Sequence, residues 1–270
     1  MMRIRKAVIP AAGLGTRLYP MTRAQPKEML PVLDKPVIHY VVEEAVNSGL
    51  DEILVIVGRG KEAIINYFDK SSMDDKVKDD YGLSSFPNIL FVRQKEQLGF
   101  ADAVRCARSF VGDDPFVVLA GDTIYRSGRK ETVTSQLTSV LVKRHEPVIG
   151  LEKVPKELIR NYGIIDGSKE DGRIWKIRDM VEKPDPGDAP SNMGAIGLYA
   201  LTPDIFDFID RIKPGKNCEY QLTDALRLLA KEKTLLGYEI EGKRYDIGTK
   251  ELWVSTFMEF ARSDPRFGRR

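Results

Sequence analysis

Arg5-Lys6-Ala7-Val8-Ile9-Pro10-Ala11-Ala12-Gly13-Leu14-Gly15-Thr16-Arg17 runs from a strand-length apolar pattern directly into a glycine loop. Arg5 to Pro10 reads as a first strand. The small residues after it let main-chain N–H groups come close to an anion, and Arg17 adds a fixed charge. With Gly13, Gly15 and Arg17 as its parts, the loop is either a phosphate cradle or a tight turn closing a buried strand. Leu18 stands where a dinucleotide fingerprint needs its third glycine, and no Gly-Lys-Ser or Gly-Lys-Thr follows, so neither familiar phosphate loop is present.

Outward from this loop, short β-branched runs alternate with helical spacing. Val37, Ile38, Val41, Val42, Ala45 and Val46 recur with helical period, and Gly49 falls where a helix end favours a left-handed residue. Glu52 to Val57, Ile89 to Arg93 and Phe116 to Leu119 read as strands, and Lys61 to Phe68 and Ala101 to Phe110 as helices. The order βαβαβαβ predicts parallel pairing through crossover helices. Asp69 to Pro87 has no apolar periodicity and is expected to be an exposed excursion. Further on, Val148 to Val154, Ile174 to Glu182 and Gly194 to Leu201 read as strands, with turns rather than long helices between the first two. Leu235 to Tyr245 reads as extended, and Asp204 to Ile212, Gln221 to Glu232 and Glu251 to Ala261 as helices. A mixed sheet continuing through one α/β domain is predicted, with halves at residues 1–125 and 126–270.

The 42 basic side chains are balanced by 40 acidic ones and interspersed with them, so no sequence-wide attraction for nucleic acid or an anionic membrane exists. No apolar run nears the roughly 18 residues of a spanning helix. Met1 to Lys6 is basic, but the apolar run after it is short and contains Pro10, unlike a signal peptide. A cytoplasmic protein without nucleic-acid or membrane partners is expected, with Cys106 and Cys218 as reduced thiols.

Four further groups bear on chemistry. Lys27 and Glu28 stand between Pro26 and Pro31, where a stiff backbone can aim a lysine, or they form a solvated surface pair. Asp122 ends the run Phe116-Val117-Val118-Leu119-Ala120-Gly121-Asp122, and Asp246 ends Lys243-Arg244-Tyr245-Asp246. Each is a Mg2+ ligand of the kind that shares the ion with phosphates and water, or a cap or turn residue. Glu182-Lys183-Pro184 offers an acceptor for sugar hydroxyls beside a cation for phosphate, or a strand-end salt bridge. His39 and His145 have no acid, Ser or Cys partner at a telling spacing, and no nucleophilic triad is visible.

Taken in order, these segments are similar to the sugar nucleotidyltransferases, in their uridylyltransferase branch. The likeness runs through Val8-Ile9-Pro10-Ala11-Ala12-Gly13-Leu14-Gly15-Thr16-Arg17, Pro26-Lys27-Glu28-Met29-Leu30-Pro31, Asp34-Lys35-Pro36, Gln97-Leu98-Gly99 and Gly121-Asp122. It continues through Tyr162-Gly163, Glu182-Lys183-Pro184, Glu219-Tyr220-Gln221-Leu222-Thr223-Asp224-Ala225 and Gly242-Lys243-Arg244-Tyr245-Asp246. The resemblance implies a Rossmann-like nucleotidyltransferase fold with a mixed, mostly parallel central sheet flanked by helices. It implies uridylyl transfer from UTP to glucose 1-phosphate with Mg2+, in a homo-oligomer. By resemblance, Gly15 belongs to the nucleotide-holding loop, Ala11, Ala12 and Gly13 contact the uridine, and Gln97 and Gly99 read the base. Arg17 and Lys27 hold the triphosphate, Asp122 and Asp246 hold the metal, Gly163 and Glu182 contact the glucose, and Lys183 takes the sugar phosphate. Gly121-Asp122-Thr123 looks closer to the thymidylyltransferase branch, so dTTP stays open as an alternative substrate, as does a sensing module without turnover.

Overall fold

The computed structural model describes residues 3–69, 82, 86–215 and 218–267. Strand β1 (Lys6–Ala11) is the third strand from one edge of a nine-stranded sheet. It pairs in parallel with β4 (Glu52–Val57), from Lys6 opposite Glu52 to Ala11 opposite Val57, and on its other side with β6 (Phe116–Leu119). Strand β5 (Ile89–Arg93) runs parallel to β4 at the edge. After Lys6 in β1 and Glu52 in β4, these two strands and β6 read as unbroken apolar runs because helices cover both faces of the sheet, so no later position on them alternates out to water.

Beyond β6 the sheet continues through β11 (Met193–Leu201), β8 (Val148–Lys153), β12 (Leu235–Glu239), β10 (Ile174–Glu182) and β9 (Gly163–Asp171). All strands but β10 and β11 run in one direction, so the sheet is mixed and mostly parallel. The far end curls back, because Gly194 of β11 also pairs with Ile164 of β9. Two short ribbons stand outside this sheet: β2 (Pro31–Val32) with β3 (Lys35–Pro36), and β7 (Thr123–Ser127) with β13 (Gly242–Asp246).

One core layer packs helices α1 (Val37–Asn47), α5 (Val133–Arg144) and α8 (Lys250–Ser263) against the sheet. The other takes α3 (Phe100–Arg105), α4 (Arg108–Val111), α6 (Ile205–Arg211) and α7 (Leu222–Glu232). Helix α2 (Glu62–Phe68) anchors through Ile64. Among the described residues no helix is long and apolar enough to cross a membrane.

Several expectations are revised. The helix anticipated from Ala101 to Phe110 is two helices, parted at Cys106–Ala107. The extended run from Leu235 to Tyr245 bends after Glu239, so that β12 joins the main sheet and β13 leaves it. The excursion expected from Asp69 to Pro87 falls mostly outside the described residues. Phe86 within it is buried against the core rather than exposed. Where only turns were anticipated between β8 and β10, β9 forms a hairpin with β10.

Candidate active site

A cavity of about 480 Å3 opens at the carboxyl ends of β1 and β6, the edge where open α/β sheets hold ligands. The loop from Ala12 to Arg17 lines it together with Lys27 and Asp122, and Gln94, Gln97 and Gly99 line it as well. A second cavity of about 200 Å3 is lined by Tyr162, Gly163, Glu182, Tyr199 and Thr223. Phe100, Lys183 and Gln221 line both. The two spaces therefore meet at a seam carrying one cation, one aromatic ring and one amide.

Lys27 sits in a single tight turn in which Met29 N donates to the Pro26 carbonyl at 2.9 Å and Leu30 N to that of Lys27 at 3.1 Å. The flanking prolines leave this turn little freedom, and its Nζ donates to Asp122 Oδ2. Both side chains are under a fifth exposed, 17% and 18%. Burial alone would lower the ammonium's pKa, but Asp122, Glu28 and Asp246 outweigh it and push it up to about 12. Burial likewise works against the Asp122 carboxylate, and Lys27 next to it holds its pKa below the usual value. The pair is ionised at neutral pH.

Asp246 reaches the same neighbourhood through the β7–β13 ribbon, where it stands opposite Thr123, and Ile247 N donates to the Asp122 carbonyl at 3.3 Å. Its Oδ1 accepts from Gly248 N at 2.7 Å and its Oδ2 from Arg244 at 3.2 Å. A Cβ built on Gly248 would lie 2.8 Å from Asp246 Oδ1 and 3.1 Å from Arg17 Nη2, which brings Arg17 beside the second aspartate. Arg244, with a side chain only 8% exposed, also donates to Glu152 at 2.8 Å and to the Tyr162 hydroxyl. It thereby ties Asp246 to the wall of the smaller cavity.

In that smaller cavity Thr223 Oγ1 donates to Glu182 Oε2 at 2.6 Å, and Lys183 Nζ lies 3.0 Å from Glu182 Oε1. A Cβ on Gly163 would lie 2.8 Å from Thr223 Oγ1 and 3.3 Å from Glu182 Oε2, so a side chain there would push against this hydrogen-bonded pair. Lys183 has a φ of 47°, a left-handed conformation that a residue with a side chain adopts only when its surroundings impose it. Its N–H donates to the Tyr162 carbonyl at 2.9 Å, which fixes the turn that aims it at the seam.

Of the residues singled out in the sequence, Ala12, Gly13, Gly15, Arg17, Lys27, Gln97, Gly99 and Asp122 line the larger cavity. Gly163 and Glu182 line the smaller, and Lys183 lines both. Ala11 is buried in β1, and it and Asp246 line neither. Glu28 is not a solvated partner of Lys27. It is 1% exposed, takes a 2.7 Å hydrogen bond from the equally buried Lys61, and leaves Oε1 without a partner among the described residues. Gln94, Phe100 and Gln221 are cavity-lining residues that the sequence did not single out. The signal for Gln94 is only positional, as the first residue beyond an apolar strand.

The family model for nucleotidyl transferases matches residues 6–263. A Staphylococcus haemolyticus protein named UTP–glucose-1-phosphate uridylyltransferase is 43% identical, covering 98% of this chain and 95% of its own length. The Bacillus subtilis protein of the same name is 42% identical over 98% and 93%. Among solved structures, a UDP-glucose pyrophosphorylase complexed with UDP-glucose superposes with a TM-score of 0.92 at 38% identity, covering 97% of this chain and all of that one. The chain belongs to the nucleotidyl transferase family.

Proposed function

We propose that the chain transfers the uridylyl group of UTP to glucose 1-phosphate, giving UDP-glucose and pyrophosphate, with Mg2+ held by Asp122 and Asp246. The observation that carries this is the meeting of the two cavities at Lys183, with the Lys27–Asp122 pair in the larger one. Relatives above 40% identity over nearly their whole length carry that activity in their names.

The chemistry requires a phosphate oxygen of the sugar to approach the α-phosphorus of the nucleotide, and the two groups repel unless cations stand between them. Lys183 is positioned to bind the sugar phosphate from the seam, while Arg17 and Lys27 bind the triphosphate and the departing pyrophosphate. The N–H groups of the loop from Ala12 to Arg17 orient the triphosphate for in-line attack. The attacking oxygen is already ionised at neutral pH, so no protein base has to remove a proton. Glu182 and Thr223 accept and donate hydrogen bonds in the smaller cavity, a pairing suited to hexose hydroxyls.

Two carboxylates at adjoining strand ends, with no cluster of three or more His, Cys, Asp or Glu ligands among the described residues, fit an ion that completes its octahedron with phosphate and water. Bound there, Mg2+ would add a fixed positive charge to the phosphate-binding set. A cytoplasmic location and assembly into a homo-oligomer belong to the same proposal.

Pyrophosphate release is measured with UTP, dTTP, ATP, CTP and GTP against glucose, galactose and mannose 1-phosphates, with and without Mg2+. UTP with glucose 1-phosphate and Mg2+ is expected to give the highest turnover. Faster turnover with dTTP would move the assignment to thymidylyl transfer, and binding of UDP-glucose without any release would make the chain a sensor.

A further inference from the structure

Gln94 directly follows β5, is 3% exposed, and lines the larger cavity together with Gly99. Its amide nitrogen has two hydrogens and two acceptors, the Gly99 carbonyl at 3.2 Å and Asp102 Oδ2 at 2.7 Å. With both donors engaged, what the amide has left to offer a ligand is Oε1, which can only accept. Asp102, on helix α3, is itself 7% exposed, and Arg105 donates to its other oxygen. Turning the Gln94 amide over would set Oε1 against both the Asp102 carboxylate and the Gly99 carbonyl, leaving buried acceptors facing one another.

We propose that Asp102 is a positioning residue for base selection: it fixes the Gln94 amide so that a carbonyl oxygen faces the nucleobase. An acceptor at that point matches a base with an imide N–H and opposes one with a bare ring-nitrogen lone pair. Uracil has the N–H at N3, and cytosine has the lone pair there. Thymine shares uracil's N–H, so this device selects against CTP and is neutral toward dTTP. The proposal rests on the uridylyl-transfer assignment above and names the part of the site that chooses the base. A site built to complete such a hydrogen bond discriminates strongly, because the wrong partner leaves buried polar groups unpaired.

The test is kcat/KM for UTP and for CTP with saturating glucose 1-phosphate and Mg2+. The wild-type chain is expected to prefer UTP by about a hundredfold or more. In Asp102→Ala the UTP-to-CTP ratio is expected to fall by about tenfold or more, mainly through the KM for UTP. Asp102→Asn, whose Oδ1 can accept the same hydrogen bond, should keep the ratio within about threefold of wild type. A purely structural role would lower both efficiencies together and leave the ratio alone, so an unchanged ratio in Asp102→Ala overturns the proposal. Should that variant not fold, Gln94→Met keeps the length of the side chain without its polar group, and its ratio must collapse in the same way. An unchanged ratio there overturns the proposal equally. A wild-type chain that releases pyrophosphate with no nucleotide sinks the uridylyl-transfer assignment along with this one. A wild-type chain that makes UDP-glucose while the variants keep its selectivity sinks this one alone.

Discussion

Asp122 and Asp246 lie 124 positions apart in sequence yet adjoin across one ribbon, which is why each looked like an ordinary turn residue when taken singly. What could be read beforehand was their setting, an apolar strand ending at a carboxylate beside a glycine. Asp122→Ala or Asp246→Ala is expected to cut turnover by about a hundredfold or more, the scale of losing a key electrostatic stabiliser. Near-normal turnover in either purified, folded variant would remove that residue from the metal and phosphate machinery. The Lys27-Glu28 dipeptide was the less legible case. Adjacency suggested a solvated pair, whereas each side chain turns to a distant partner, Lys27 to Asp122 and Glu28 to Lys61. Because Glu28 and Lys61 are 1% and 5% exposed, Glu28→Leu would strand a buried ammonium. The expected loss is about 3–5 kcal/mol of unfolding free energy, read from urea denaturation, and an unchanged midpoint would contradict the pairing.

Among the elements, the short segment from Glu219 to Thr223 ties the two cavities together. Tyr220 N donates to the Leu98 carbonyl at 2.7 Å, Ala101 N donates to the Tyr220 carbonyl at 3.0 Å, and three residues further on Thr223 holds Glu182. Gly99 is wedged beneath this clamp at a φ of 108°, where a Cβ would lie 2.6 Å from the Tyr220 carbonyl oxygen and 2.8 Å from its nitrogen. Gly99→Ala is therefore expected to raise the KM for glucose 1-phosphate as well as for UTP, by about tenfold or more, although Gly99 lines only the larger cavity. A change confined to UTP would show that the clamp does not couple the sites. The buried strands were legible because a sheet covered on both faces makes each of them a continuous apolar run. Strand β9 was not, because only its first three residues are buried, Asp166 and Gly167 are half-buried, and Ser168 to Asp171 are exposed and polar. Its one local signal is Asp171-Gly172 at the hairpin, a strong turn pair. Helix α5 hid its apolar stripe of Val133, Leu137, Val140 and Leu141 among Ser and Thr, which weakened the periodicity, although Thr132 caps it by accepting from Ser135 N at 3.1 Å.

At the level of the whole molecule, one sheet carries both halves of the site, and β6 and β11 pair where the larger cavity's side meets the smaller one's. Pairing order and the closure of β9 onto β11 depend on contacts between residues far apart in sequence, so neither was legible. Folding this sheet also buries His39 completely against Tyr67 and Phe86, with Nδ1 2.9 Å from the Tyr67 hydroxyl. Burial, reinforced by Lys35, pushes its imidazole down to about 4 from the usual 6.5. The unfolded chain therefore takes up this proton first as pH falls. The stabilising contribution is complete above pH 6.5 and drains away between 6.5 and 4. Against wild type, His39→Phe should flatten the fall of unfolding free energy over that window by up to roughly 1.4 kcal/mol per pH unit, and parallel curves would contradict the assignment.

Binding both substrate parts across the Lys183 seam is the claim that all of this chemistry depends on. A crystal structure of the chain with UDP-glucose bound tests it most directly. The base should lie beside Gln94 and Gly99, the glucose against Gly163, Glu182 and Thr223, and the diphosphate should pass Lys183 between the two cavities. A hexose found outside the smaller cavity, or a diphosphate out of reach of Lys183, would contradict it.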